Sequence, residues 1–134
     1  MAKKNELIAF VDQDNELQGN SWLKEMIKPF KDKNIVGVAC KLLVKKEDNI
    51  TNRYLSLVGT DSFAIYRSIE GRMALNKIKL KDEGDYFSYK LKTDNCLCTG
   101  GNCFIVRKEA LNKINSYTQD VEMIYAFAEK NYKI

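Results

Sequence analysis

Two acidic side chains directly follow an unbroken apolar run near the start of the sequence. Leu7 to Val11 is apolar throughout, and Asp12 and Asp14 come next, one residue apart. A short continuous apolar run is typical of a strand that is buried on both faces. If the extended geometry continued past Val11, the two carboxylates would share a face. Paired carboxylates at the carboxyl end of a buried strand suit Mg²⁺ or Mn²⁺, with a phosphate completing the coordination. We therefore expect Asp12 and Asp14 to be metal ligands.

The composition narrows the chemistry that is available. The 134 residues fit one domain, and their 22 basic and 18 acidic side chains leave a formal charge of +4. The lysines are spread along the chain, so nucleic-acid binding is not indicated. There is no histidine, which excludes Ser-His and Cys-His nucleophiles and histidine-ligated metals. Acid–base chemistry would have to use carboxylates, lysine, tyrosine or cysteine.

The four cysteines raise the question of zinc. They are Cys40, Cys96, Cys98 and Cys103. Structural zinc usually takes paired ligands two to four residues apart, and Cys96-Leu97-Cys98 is too tight for that spacing. We favour buried free thiols in a reducing cytoplasm. No run approaches the roughly 18 apolar residues of a membrane-spanning helix, and no signal peptide is visible, so we expect a cytoplasmic protein.

The hydrophobic pattern of the first 44 residues predicts a strand, a helix and a strand. The first strand covers about 6–11, and the second begins at Ile35 and continues toward Val44. Between them, a helix capped by Asn20 or Ser21 carries one apolar stripe. Its residues are Trp22, Leu23, Met26, Ile27 and Phe30. Strand, helix and strand in this order are typical of neighbouring parallel strands.

The hydrophobic pattern of the last third of the chain predicts two strands and two helices. We expect a half-buried strand over 86–91 and, after a glycine turn, an apolar strand over 103–106. A helix over about 107–114 comes next, and a final helix starts near Gln119. Its inward stripe would be Val121, Ile124, Tyr125, Ala128 and Tyr132. In the middle of the chain, the apolar residues of 52–67 predict one or two helices. Residues 68–85 are polar, and we expect them to form a segment exposed at the surface.

Taken in order, these segments resemble the carboxyl-terminal part of the catalytic domain of a family 2 glycosyltransferase of GT-A fold. Asp12-Gln13-Asp14 is similar to the family's DxD motif. The segment Thr99 to Arg107 and the helix Lys108-Glu109-Ala110-Leu111 resemble its Gly-Asn strand and the helix after it. Gln119-Asp120-Val121-Glu122 stands at the place of its Glu-Asp catalytic motif, and Asn131-Tyr132-Lys133-Ile134 resembles its Gly-Tyr-Lys-Ile ending.

The resemblance implies an α/β fold, a partial GT-A domain with a mixed, mainly parallel sheet flanked by helices. It implies inverting, metal-dependent transfer of a sugar to an acceptor hydroxyl. Asp12 and Asp14 would hold Mg²⁺ or Mn²⁺, and Asp120 would be the general base. Gly100, Gly101 and Asn102 would contact the donor, because glycine has no side chain to prevent close approach.

The implied partners are those of the parent enzyme. They are a UDP-, GDP- or dTDP-sugar donor and a saccharide or lipid-linked acceptor, which is compatible with a place at the cytoplasmic face of a membrane. The family's nucleotide-binding half normally precedes the DxD strand, and nothing upstream of Leu7 matches it. We therefore expect residues 1–134 to be one domain, a fragment that is inactive alone and whose exposed first strand favours self-association.

Other interpretations of these residues stay open. Asp12 and Asp14 are also suited to begin a turn, Asp120 to complement a helix dipole, and Gly100-Gly101 to form a tight turn. Two alternative functions remain as well. One is a non-catalytic module that binds a carbohydrate or a partner, and the other is a small zinc-stabilised cysteine domain.

Overall fold

A three-stranded sheet organises the part of the chain that the structure describes. The computed structural model describes residues 6–13, 15–40, 45–51, 53, 80–93, 103–114 and 120–134. The strands are β1 (Leu7–Val11), β2 (Gly37–Ala39), β3 (Lys81–Asp82), β4 (Phe87–Ser88) and β5 (Cys103–Arg107). The helices are α1 (Trp22–Ile27), which continues into a 3₁₀ turn (Lys28–Lys31), α2 (Lys108–Asn112) and α3 (Asp120–Glu129). The sheet has the order β1-β5-β2, and β3 pairs with β4 in a separate hairpin.

The expectation of a mainly parallel sheet is wrong for the described strands, because β5 is antiparallel to both of its neighbours. Leu7 lies opposite Arg107 and Val11 opposite Cys103, while β2 pairs Ala39 with Phe104. β1 and β2 therefore run in the same direction, but β5 lies between them. The apolar pattern that marks a buried strand carries no information about which strand will be its neighbour. The coarser expectation, a mixed α/β architecture, is confirmed.

The carboxyl-terminal residues join the hairpin to the rest of the structure. Tyr89 and Ile134 exchange backbone hydrogen bonds of 2.8 and 3.0 Å, and the Leu91 N–H donates to Tyr132 at 2.8 Å. On the other side, the Val36 N–H donates to the carbonyl of Lys133 at 2.9 Å. The end of the chain thus lies between the residues before β2 and those after β4.

The core consists of two layers, one on each face of β5. Side chains alternate along a strand, so successive residues of β5 enter different layers. Phe104 and Val106 pack with Ile124 and Phe127 of α3, together with α2 residues. On the opposite face, Cys103 and Ile105 pack with Met26, Phe30 and Ile35. The sheet is therefore covered by helices on both faces. No helix of the described part is long and apolar enough to cross a membrane.

Burial corrects the expectation for β1. The sequence predicts a strand that is buried on both faces, but β1 is only half-buried, and Val11 is 41% exposed. The reason is its position, because β1 lies at an edge of the described sheet with β5 on one side. The expected self-association through this strand stays a prediction.

The helix faces also differ in part from the predicted stripes. In α1, Leu23 and Ile27 are exposed, because the helix gives way to a 3₁₀ turn and presents a narrower buried side.

In α3 the buried residues are Met123, Ile124, Phe127 and Ala128, and Tyr125 is exposed. The helix ends before Tyr132, since Asn131 has a φ of 53° and the Tyr132 N–H donates to the carbonyl of Phe127. Of the predicted stripe, Ile124 and Ala128 are buried and Tyr132 packs against the same core. The predicted helices over 52–67 fall almost wholly outside the described residues.

Gly37→Ala tests the fit between β2 and β5. A Cβ added at Gly37 would overlap the ring of Phe104. Overpacking a filled core costs about 1–3 kcal/mol, so the free energy of unfolding in urea should fall by about that amount. In a Phe104→Leu background the same substitution should cost less, because the ring is gone. Equal costs in the two backgrounds would show that this contact does not limit residue size at Gly37.

Candidate functional site

Asp12 lies at the end of the sheet where β1 and β2 finish and β5 begins. Val11 is opposite Cys103, and the Cys40 N–H donates to the carbonyl of Cys103 at 3.2 Å. We call this end, formed by Asp12, Cys40 and Cys103, the Asp12 edge. Three chain segments that are distant in the sequence meet there. They do so because β5 pairs with both of the other strands.

The backbone turns immediately after Asp12. The Asn15 N–H donates to the Asp12 carbonyl at 3.1 Å, an i to i+3 bond that closes a turn. The extended geometry that would have placed Asp12 and Asp14 on one face therefore does not continue. Asp12 is nevertheless exposed, and no described residue donates to its carboxylate. The turn uses the carbonyl of Asp12 and leaves its carboxylate accessible.

Most of the other predicted site residues lie outside the described part of the chain. These are Asp14, Gly100, Gly101 and Asn102. Cys103, which follows Asn102 in the chain, lies at the Asp12 edge. Asp120 is the first residue of α3, and its side chain is not described. The structure thus places Asp12 beside the strand that Asn102 precedes.

The ligands required differ between the two kinds of metal site considered from the sequence. Mg²⁺ is usually bound by one or two carboxylates, with water and phosphate oxygens as its other ligands. An accessible Asp12, followed two residues later by Asp14, fits that requirement. A structural zinc site needs four protein ligands. Within the described residues, no group of three or more cysteine, aspartate or glutamate side chains is placed to hold a metal.

A second feature, a basic cleft, lies at the opposite end of the sheet and was not predicted. Its volume is about 620 Å³. Five lysines line it, and they are Lys33, Lys81, Lys90, Lys113 and Lys133. They are spread over 100 positions of the sequence, from Lys33 to Lys133, so no local pattern could have signalled the cleft. Glu109 is the one acidic side chain on its described wall. Because the cleft is far from Asp12 along β5, we treat it as a charged surface and not as part of the candidate site.

An ion-pair network beside the cleft neutralises part of its charge. Lys133 Nζ lies 2.9 Å from Asp32 and 3.2 Å from Glu83, and Lys81 Nζ lies 3.0 Å from Glu83. The hydrogen bond from Lys133 is the main cause that lowers the pKa of Asp32, and the bond to Asp32 raises the pKa of Lys133. The pKa of Glu83 is lowered first by Lys81, then by Ser88 and Lys133. The network joins the segment before β2, the β3–β4 turn and the chain end.

Comparisons of this chain with protein-family models, curated proteins and solved structures return no match.

Lys133→Met tests whether this network stabilises the fold. The pKa of Asp32 is lowered from 3.8 and that of Glu83 from 4.5. A carboxylate with a lowered pKa in the folded state adds stability above its unfolded pKa, and this is lost as the pH falls through the folded value. Between about pH 6 and about pH 3, the fall in Tm should therefore be smaller for Lys133→Met than for the unsubstituted protein.

Lys113→Met is the matched control, because Lys113 lines the same cleft and no described acid pairs with it. It should keep the original pH dependence. If Lys133→Met shows the same fall in Tm as the unsubstituted chain, the network does not couple folding to pH.

Proposed function

We propose that this chain is the carboxyl-terminal part of a GT-A catalytic domain, from a metal-dependent inverting glycosyltransferase. The reaction moves a sugar from a nucleotide-sugar donor to an acceptor hydroxyl. One observation carries the proposal. The accessible Asp12 carboxylate follows β1 at the edge where β5 begins, and β5 is preceded by Gly100, Gly101 and Asn102. Two of the motifs that resemble the glycosyltransferase family therefore adjoin one edge of the sheet.

In this proposal the carboxylates of Asp12 and Asp14 bind a divalent cation. When bound, the cation supplies positive charge that stabilises the diphosphate leaving group. Two carboxylates leave coordination positions for phosphate oxygens, which is the arrangement that Mg²⁺ and Mn²⁺ prefer in phosphate sites. Gly100 and Gly101 have no side chains to prevent the backbone from approaching the donor.

Asp120 is the proposed general base. As the acceptor oxygen bonds to the anomeric carbon from the side opposite the leaving group, Asp120 takes the hydroxyl proton. This displacement inverts the configuration at that carbon. Asp120 begins a ten-residue helix whose Ile124 and Phe127 are buried in the core. Its backbone is therefore attached to a packed element, which favours the fixed placement that a catalytic group needs.

A non-catalytic module that binds sugar through the same edge is the alternative function. Asp120→Asn separates the two, because it removes the base while keeping the size of the side chain. In the enzyme to which this chain belongs, the substitution should abolish turnover and leave donor binding unchanged. An unchanged turnover rate would remove Asp120 from the mechanism.

Binding of Mn²⁺ to the 134-residue chain, followed by calorimetry, tests the metal site. The unsubstituted chain should bind Mn²⁺, and Asp12→Asn/Asp14→Asn should weaken binding by about tenfold or more, equivalent to about 1.4 kcal/mol. A matched control is Glu47→Gln/Glu129→Gln, which removes the same charge from two exposed acids. That control should bind like the unsubstituted chain.

Addition of UDP, GDP or dTDP to the same samples then tests the link to the donor. If the cation shares its coordination with phosphate, Mn²⁺ binding should tighten in the presence of the matching diphosphate. Equal Mn²⁺ affinity in the Asp12/Asp14 variant and the unsubstituted chain would contradict the proposed ligands.

A further inference from the structure

Cys40 and Cys103 face one another across β2 and β5. Continuing the β2–β5 register by one residue beyond Ala39 places Cys40 opposite Cys103. The Cys40 N–H donates to the carbonyl of Cys103 at 3.2 Å, and the side chain of Cys40 contributes to the raised pKa of the Cys103 thiol. Both are free, Cys103 is only 4% exposed, and Cys40 is half-buried. Two thiols on directly opposed residues have chemistry that neither thiol has alone.

The backbone geometry at this pair is compatible with a covalent bond. Directly opposed, hydrogen-bonded residues in antiparallel strands have Cα atoms about 5.5 Å apart. Disulfides span Cα separations of about 4.4–6.8 Å. Closing the bond therefore needs rotation of the two side chains and a small approach of the strands, without a change of register.

We propose that Cys40 and Cys103 are a redox-modification site, at which a low-molecular-weight disulfide such as glutathione disulfide converts the pair into a reversible cross-strand disulfide. First, the Cys40 thiolate attacks one sulfur of glutathione disulfide, which breaks its S–S bond and releases one glutathione thiolate. Then Cys103 loses its proton to solvent and attacks the sulfur of Cys40, releasing the second glutathione. The protein loses two hydrogens, and the oxidant is reduced to two glutathione molecules.

The surroundings of the two thiols determine this order of attack. Cys40 reacts first because solvent reaches it. Cys103 acts second because burial, together with its hydrogen bond to Cys40, raises the pKa of its thiol to about 12. Its thiolate is therefore scarce, so the second step is the slow one. A mixed disulfide on Cys40 should form before the cross-strand bond.

The disulfide would fasten β2 to β5 at the Asp12 edge, because Cys103 also lies opposite Val11. The inference does not depend on the proposed sugar transfer, since its readout is the state of the thiols. It also refines the expectation of buried free thiols, because this pair combines a buried thiol with an accessible one.

Peptide mapping tests the proposal in a Cys96→Ser/Cys98→Ser background, which removes the other two thiols. The folded chain is treated with glutathione disulfide, its remaining thiols are alkylated, and it is digested with trypsin. Cleavage after lysine and arginine places Cys40 in Asn34–Lys41 and Cys103 in Thr93–Arg107. We expect these two peptides to be joined, and dithiothreitol to separate them.

The same treatment in concentrated urea shows whether the fold favours the bond. Because the folded chain holds the thiols together, its yield of joined peptide should exceed that of the unfolded chain by about tenfold. Adding Cys103→Ser should stop the reaction at glutathionylated Cys40. Adding Cys40→Ser should leave Cys103 slow to react, with circular dichroism confirming that both variants fold. Absence of the joined peptide from the folded chain, or equal yields from folded and unfolded chains, would overturn the proposal.

Discussion

The rest of the described structure depends on β5, which is hydrogen-bonded along both edges and buried on both faces. Its last residue, Arg107, extends this role beyond the sheet. The Arg107 guanidinium donates to the carbonyls of Ile35 at 2.8 Å and Phe30 at 2.6 Å, and it lies 5.1 Å from the centre of the Phe30 ring. A charged donor that satisfies carbonyls in a partly buried turn is among the stronger hydrogen-bonding interactions in proteins. One side chain thus fixes the connection between α1 and β2 against the central strand.

The two ends of β5 contact different parts of the chain. At the Arg107 end, the chain terminus, the β3–β4 hairpin and the segment before β2 are joined by backbone bonds and by the ion pairs of Lys133. At the Cys103 end, the strand brings together the end of β1, with its accessible Asp12, and the thiol of Cys40. Stabilising contacts are therefore concentrated at one end of the sheet, and the residues with reactive groups lie at the other. Because the Asp12 side chain is exposed, it can be changed with little loss of stability.

Local pattern predicted the elements better than their arrangement. β1, β5, α2 and α3 begin and end within a few residues of their predicted limits, because apolar periodicity and the Gly100-Gly101 pair before Cys103 are local signals in the sequence. The position of β5 between β1 and β2 is a long-range choice, and the alternation of apolar residues is the same in parallel and antiparallel strands. The inward face of α3 was predicted in part, because Ile124 and Ala128 are buried as expected, whereas Tyr125 is exposed and Met123 and Phe127 are buried instead.

The candidate site was also predictable only in part, because local features appear in the sequence and contacts between distant segments do not. The carboxylates after β1 are visible in the sequence, and the structure confirms that Asp12 is accessible at a strand end. From the sequence, the turn closed by Asn15 was one of two possible interpretations of Asp12 and Asp14, since aspartate suits both a turn and a metal site. The apposition of Cys40 with Cys103 and the basic cleft both arise from pairing between distant segments. No single stretch of sequence contains the information for either.

Paramagnetic broadening of amide NMR signals by Mn²⁺ tests the central claim, that the Asp12 edge binds a divalent cation, most directly. With substoichiometric Mn²⁺, the signals of Val11, Asp12 and Cys103 should be lost selectively, while those of Arg107 and Lys133 at the other end of the sheet should persist. Asp12→Asn/Asp14→Asn should restore the lost signals. Broadening centred on Asp32 and Glu83, or uniform broadening that the double substitution does not change, would contradict a metal site at this edge.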